Sequence, residues 1–342
     1  MTTEWAHKGL RPVISLIVIV YNMLREAPRT LLSLSQEYQN LNGGQYEVIV
    51  VENGSEQPLS ESQVKSFGEH FRYFYMPAPS SSPVCAINFG VSQATAKVVG
   101  VMIDGARILS PGILKYALLA FNAYENPFVT TLGWHLGPDV QFRSVEKGYN
   151  KQTEDSLIEN IQWPSNGYRL FEIASLAGSS GDGWFLPITE SNCFFMAKQT
   201  YESLRGFDER FDKPGGGLAN LDFYKRACEL AHSQLVVLFG EGTFHQLHGG
   251  VTTQVTEEQN RNLWRQFEDQ YFSIRNMRYE RPVAQPDFLG HVPPEALASV
   301  LFSAKLALKR REQPKGTIRR RTTFFRKALN KIYTFFSSPQ VR

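Results

Sequence analysis

The chain has 342 residues, 42% of them apolar and 20% charged, an ordinary globular composition that excludes a disordered polymer and leaves room for one large domain plus an appendage. Its net charge of +3 is unevenly spread: Lys305 to Arg342 holds twelve Lys or Arg against the single acid Glu312, about +11, which leaves about −8 on the remainder. Three well-separated cysteines, Cys85, Cys193 and Cys228, exclude a disulfide framework and a cysteine metal ladder and suit a reducing cytoplasm.

The opening, MTTEWAHKGLRP, lacks the basic-then-apolar layout of a secretory leader. No apolar run approaches the roughly 20 residues that span a bilayer. The expectation is a cytoplasmic protein, soluble or peripheral at the inner face of the membrane. VISLIVIVYN (13–22) is a short β-branched run with a polar exit, the pattern of a buried parallel strand. A helix follows, with Leu31, Leu32, Leu34 and Tyr38 at near-helical spacing. A second buried strand lies at 47–51, a third in HFRYFYMP, a helix at about 84–96 and a fourth strand at 98–103. This alternation predicts a parallel sheet with right-handed crossovers, whose ligands bind beyond the carboxyl ends of the strands. Glu52, Asn53 and Asp104 fall there.

Residues 133–187 are rich in Gly, Ser, Trp and Pro with weak periodicity, and read as a long connection of the kind that serves function. SNCFFMAKQTYESLRGFDERF predicts a strand and a helix, LANLDFYKRACELA a helix, and QLVVLFGEGTFHQLHGG a final strand entering a Gly/His loop. Composition shifts after RPVAQPDFLGHVPP. EALASVLFSAKLALKRR and TTFFRKALNKIYTFF then predict two amphipathic helices, separated by EQPKGTIRRR.

In this order the pieces resemble the family-2 glycosyltransferases with the GT-A fold. VISLIVIVYN resembles their first strand. YEVIVVENGS resembles the second, with Glu52 in place of the usual Asp. INFGVSQATAKVVGVMIDGARILSPGIL resembles the stretch from the donor-contacting helix to the Asp-x-Asp motif, and RGFDERF the Gly-Phe-Asp-Glu-x-Phe signature. The match spans roughly residues 13–255. It implies an α/β GT-A domain over 10–285, with a mostly parallel, Rossmann-like sheet flanked by helices, and a basic amphipathic helical extension over 286–342. The implied activity is transfer of a sugar from a nucleotide-sugar donor to a saccharide or lipid-linked saccharide, in surface-polysaccharide synthesis.

Two positions depart from the family pattern. Ala106 replaces the second Asp of the Asp-x-Asp motif, and Ala219-Asn220 aligns with the Glu-Asp pair whose Asp is the base in inverting members. An amide cannot take a proton from a hydroxyl at neutral pH. The alternative is therefore a GT-A-fold binding or scaffold protein that has lost turnover. A nucleotidyltransferase would want a Gly-rich, basic triphosphate loop near the first strand, which YNMLREAPR lacks.

The resemblance implies a nucleotide-sugar site lined by Val20, Tyr21, Asn22, Glu52, Asn88, Asp104, Gly105 and Arg107. Asp104 is its best candidate for the ribose or an ion. His245 and His248 in FHQLHGG occupy the loop where GT-A enzymes place a metal-binding His, and imidazole beside carboxylate suits Mn2+ or Mg2+. The rival is a metal-free site in which Arg107 steadies the diphosphate. Glu190, Asp222 and Glu241 are acids near the acceptor side. Glu190 is the candidate base, or the group backing the sugar in a retaining reaction; Asp222 is the second catalytic candidate. The tail 305–342 interleaves cations with large apolar residues, as an interfacial helix does. It reads as a surface for anionic lipid, or as a face packing on the body or on another subunit. No nucleic-acid fold signature is present.

Overall fold

The computed structural model describes residues 13–77, 81–251 and 255–312. The second basic segment, TTFFRKALNKIYTFF, lies outside the described residues, as does all of 313–342. Ten strands join in one sheet: β1 (Ile14–Val20), β2 (Tyr46–Glu52), β3 (Phe71–Tyr75), β4 (Val98–Met102), β5 (Arg107–Leu109), β6 (Pro127–Leu136), β7 (Ala174–Leu176), β8 (Cys193–Ala197), β9 (Gln234–His245) and β10 (Asp287–Gly290). The helices are α1 (Ala27–Leu32), α2 (Gln36–Gln39), α3 (Glu61–Lys65), α4 (Val84–Ser92), α5 (Ile113–Ala123), α6 (Gln141–Glu146), α7 (Lys151–Asn160), α8 (Lys198–Ser203), α9 (Ala219–Glu229), α10 (Glu257–Arg275) and α11 (Leu297–Arg311).

The spatial order is β10-β9-β6-β8-β4-β1-β2-β3, with β5 on β9 and β7 on β6. The pairs β1–β2, β2–β3, β1–β4, β6–β9 and β9–β10 are parallel, while β8 runs antiparallel to both β4 and β6. This is the expected α/β GT-A sheet. Because β1 has every residue buried, its two faces feed two apolar clusters. Ile17 and Ile19 join Ile87 and Val91 of α4 on one side; Leu16, Val18 and Val20 join Met23, Ala27 and Leu31 on the other. Each such aliphatic side chain contributes about 1.5–3 kcal/mol on burial. Gly90 allows the α4 contact, since a Cβ there would come within 2.5 Å of Ile17.

Two expectations about organisation need correcting. The span 133–187 is more than a connection: it completes β6 and contains α6, α7 and β7. The sequence hid α7 because KQTEDSLIEN carries only two apolar residues, of which Ile158 is buried in the core. The sheet also runs past the boundary placed at 285, because β10 pairs in parallel with β9. Among the described residues, no helix is long and apolar enough to cross a membrane.

Candidate active site

Strand order reverses between β1 and β4: β2 and β3 extend one way from β1, and β4 lies on its other side. In open α/β sheets such a switch point opens a crevice at the carboxyl ends of the strands. Tyr21 and Asn22 leave β1 there, and Asp104 leaves β4. Immediately after Asp104, the three residues of β5 pair antiparallel with the end of β9, so that Arg107 stands opposite His245. This short pairing brings a carboxylate and an imidazole loop together across about 140 residues of chain.

Asp104 Oδ2 accepts from Arg107 Nε at 2.7 Å, and Oδ1 lies 3.7 Å from His245 Nε2. His245 Nε2 and His248 Nε2 face each other at 3.1 Å. Gln141 settles the tautomer. Its Nε2 donates to the His245 carbonyl at 3.0 Å, so its Oε1, 2.7 Å from His245 Nδ1, must accept a proton carried by that nitrogen. His245 Nε2 therefore presents a lone pair toward His248 and Asp104. Either a proton on His248 Nε2 or a cation can occupy that junction. The ligand atoms of Asp104, His245 and His248 all lie within 4.8 Å of one another.

Burial holds His245 well below the usual imidazole range, with Arg107 and His248 adding repulsion, and burial also lowers His248. Neutral imidazoles oriented by an outer hydrogen bond are what a divalent ion requires. The residues fit a metal. His135, which accepts from the Gln141 N–H at 2.9 Å, backs this layer and is pushed down to about 3 by burial and by Arg107.

Glu190 lies within electrostatic reach of both Arg107 and Asp104. Its Oε2 accepts from Asn220 Nδ2 at 2.7 Å, and Asn220 also reaches Asn192 at 3.4 Å. Burial raises the Glu190 pKa, with Asn220 and Arg107 opposing. Two buried polar atoms here lack a hydrogen-bond partner: Arg107 Nη1 and Asn220 Oδ1. Arg107 Nη1 and Asn192 Nδ2 would each lie 3.7 Å from a Cβ at Gly133, so the bare backbone of β6 leaves space beside them. An orphaned buried donor and acceptor at a crevice are satisfied by a ligand or by water.

Other predicted site residues are buried or held by partners of their own. Asn88 spends its full capacity on the RGFDERF turn: Nδ2 donates to the Phe207 carbonyl and Glu209, and Oδ1 accepts from Tyr201 and the Phe207 N–H. Nothing remains for a nucleotide; its role is to fasten α4 to that turn. Glu52 has no exposed surface and accepts from Ser55 Oγ and, at 3.1 Å, from the Leu59 N–H, organising the loop after β2. Asp222 is buried away from the cluster, with both oxygens held by Arg275 at 2.6 and 2.7 Å and one also by Arg226 at 2.8 Å. It ties α9 to α10. Gly105 is buried, and a Cβ there would come within 2.8 Å of Val20. Val20 is itself core, and of the first strand's exit only Tyr21 and Asn22 are exposed. Glu241 is fully buried beneath Ser110, Gly112 and Tyr168.

Ala106 has no exposed surface and packs in the apolar cluster containing Val20, Met23 and Ala27. The chain spacing of Asp-x-Asp survives, but its third position is core. Sequence reasoning missed Gln141, His135 and Asn192. Gln141 lies in the connection of weak periodicity, and its partner His245 is distant in the chain.

A mostly parallel sheet with a carboxylate, two imidazoles and a guanidinium at its switch point is consistent with the GT-A fold. Residues 15–171 match the model of the family described as glycosyl transferase family 2. That stretch is a little under half of the chain, and over it the protein is similar to the family-2 glycosyltransferases. Solved structures similar to it include S. aureus TarS 1–349 in complex with UDP-GlcNAc, 14% identical over 76% of this chain and 72% of that chain, with a TM-score of 0.47. Another is the mannosyltransferase PcManGT from Pyrobaculum calidifontis in complex with GDP-Man and Mn2+, 15% identical over 87% of this chain and 70% of that one, with a TM-score of 0.46. No curated protein matches the chain.

Proposed function

We propose that the protein moves a sugar from a nucleotide-sugar donor to a saccharide or lipid-linked saccharide in surface-polysaccharide synthesis, using Asp104, His245 and His248 to hold a divalent ion, Mn2+ or Mg2+. The observation that carries this reading is the lone pair of His245, fixed by Gln141 toward His248 and Asp104. The bound ion would supply positive charge for the departing diphosphate. Arg107 adds a fixed cation beside it, with Asp104 orienting Nε and leaving Nη1 to donate. Tyr21 and Asn22 form the exposed exit of β1 toward the nucleotide.

Glu190 is the proposed base. When the donor's C1–O bond to phosphate breaks and the acceptor oxygen bonds to C1, the hydroxyl proton passes to Glu190 and the electron pair of the broken bond leaves with the nucleotide. A carboxylate whose pKa is raised by burial is a better base near neutrality than an exposed one. Asn220, in the family base's place, serves by holding Glu190 Oε2. The basic segment 305–342 suits an anionic membrane surface at which a lipid-linked acceptor would be met.

A panel of UDP-, GDP-, CMP- and dTDP-sugars, with and without Mn2+, tests the reading through nucleotide release and thermal shift. One donor should stabilise the protein and be consumed when acceptor is added, and Asp104→Ala should abolish both responses. Donor-specific stabilisation without turnover on any acceptor would instead favour a binding protein.

A further inference from the structure

We infer that the outer face of α11 is a docking surface for an anionic lipid bilayer; this deepens the membrane reading above and does not depend on the donor. The helix is attached to the body by Val300, which packs against the apolar core, and by small and charged residues. Ser303 is fully buried against Gly183, so closely that a Cβ on Gly183 would come within 2.1 Å of its Oγ. Arg310 pairs with Asp182, which Arg281 also approaches at 3.6 Å. Four other large apolar residues of the helix are exposed. Leu297, Leu301 and Leu308 are 50%, 58% and 59% exposed, and Phe302 is 38% exposed.

At 3.6 residues per turn these three leucines fall within an arc of about 40°. Exposed Lys305 and Lys309 border that arc on one side and Arg311 on the other. Isolated exposed leucines are ordinary, but a stripe of them rimmed by cations is the pattern of a helix lying in a bilayer interface. Two other occupants compete with lipid, the tail beyond residue 312 and a second copy of α11. The tail carries eight Lys or Arg and no acid, so it repels a face rimmed by cations, and two copies of the face repel each other likewise. An anionic surface attracts both segments together. The docking point also lies close in sequence to the proposed acceptor side, since Gly183 and Glu190 belong to one connection.

The test is co-sedimentation of the full chain with sucrose-loaded vesicles of phosphatidylcholine alone or with about one phosphatidylglycerol in three lipids. Binding should need the anionic lipid. It should weaken at least about tenfold in Leu297→Ser/Leu301→Ser/Leu308→Ser, and similarly in Lys305→Glu/Lys309→Glu/Arg311→Glu. Truncation after Glu312 should weaken binding but leave the dependence on the leucines. Undiminished binding by the leucine variant would overturn the inference, as would a leucine-dependent dimer in light scattering without vesicle binding. Donor-induced thermal shift measured on the same samples reads the nucleotide-sugar assignment separately and should not change in either variant.

Discussion

The loop that carries the two imidazoles is held from outside the site, and Glu154→Ala should release it. Glu154 on α7 has no exposed surface. Both its oxygens take the Leu247 N–H, at 3.0 and 2.9 Å, while Arg25 Nη1 reaches the Leu247 carbonyl at 3.2 Å. The residue just before His248 is therefore gripped on its N–H and its C=O at once. Glu154 also accepts from Arg25 Nη2 at 3.1 Å and from Tyr149 at 3.3 Å. Truncation to Ala leaves a buried N–H without an acceptor, which costs about 1–3 kcal/mol. Breaking a fully buried ion pair costs about 3–5 kcal/mol. Arg25 is less buried than that limit assumes and keeps Asp155 and Glu26, so the two effects together should come to about 3 kcal/mol. Urea unfolding measures this. Glu154→Gln retains an oxygen for Leu247 and should lose about 1 kcal/mol. Mn2+ affinity, read by electron paramagnetic resonance of the donor-free protein, should fall at least about tenfold in the Ala variant, as when an outer-layer partner of a metal ligand is removed. An Ala variant that unfolds at the wild-type urea midpoint and binds Mn2+ as tightly as the wild type would refute the clamp.

His248→Ala should weaken Mn2+ binding by at least about 10-fold in the same donor-free measurement, and chelation should erase any Mn2+-dependent donor shift; a variant with undiminished affinity would remove His248 from the metal set. Glu190→Gln should lower kcat by about 10²–10⁴ with little change in donor KM, and a fall in KM-dependent binding alone would assign Glu190 to donor contact instead. Glu241 supplies a pH signature. Burial lifts its pKa to about 7, above the value in the unfolded chain, so the folded state holds the extra proton between roughly pH 4.5 and 7 and stability falls as pH rises through that window. The slope should approach about 1.4 kcal/mol per pH unit, and Glu241→Gln should flatten it. An unchanged slope would mean that another group titrates there.

What the chain reveals by itself depends on how far apart the interacting groups lie. The strands β1, β2 and β4 are legible because a strand buried on both faces must be apolar throughout, and their order of helices and turns forces the switch point at which Asp104 emerges. The imidazoles of FHQLHGG are legible as a pair at the end of a strand. Glu52, Asn88 and Asp222 are each held by a neighbouring part of the fold that the sequence does not announce. Each is a polar residue at an element end, where a ligand and a neighbouring loop make the same demand on sequence, and only coordinates show Phe207, Leu59 or Arg275 meeting that demand first. Gln141 and Glu154 were not visible for the converse reason: their partners His245 and Leu247 are about a hundred residues away, and the helices that carry them have too few apolar residues to announce themselves.

Ala106 shows the same limit most sharply. Read along the chain, it is a metal ligand that has been lost, which argues for a weakened site. In the fold, the bend after β4 turns position 106 into the apolar layer of Val20, Met23 and Ala27, while its backbone still serves, the N–H on Asp104 at 3.2 Å and the carbonyl on Gln246 at 2.8 Å. An Asp placed there would lack water and would have to displace packed methyl groups, so restoring the family residue should destabilise the protein without adding a ligand. The charged side chain that this turn contributes is Arg107. Paired with β9, it brings a cation to Asp104 and keeps a buried donor without a hydrogen-bond partner, so on the proposed function part of the positive charge beside the diphosphate is built into the protein as guanidinium.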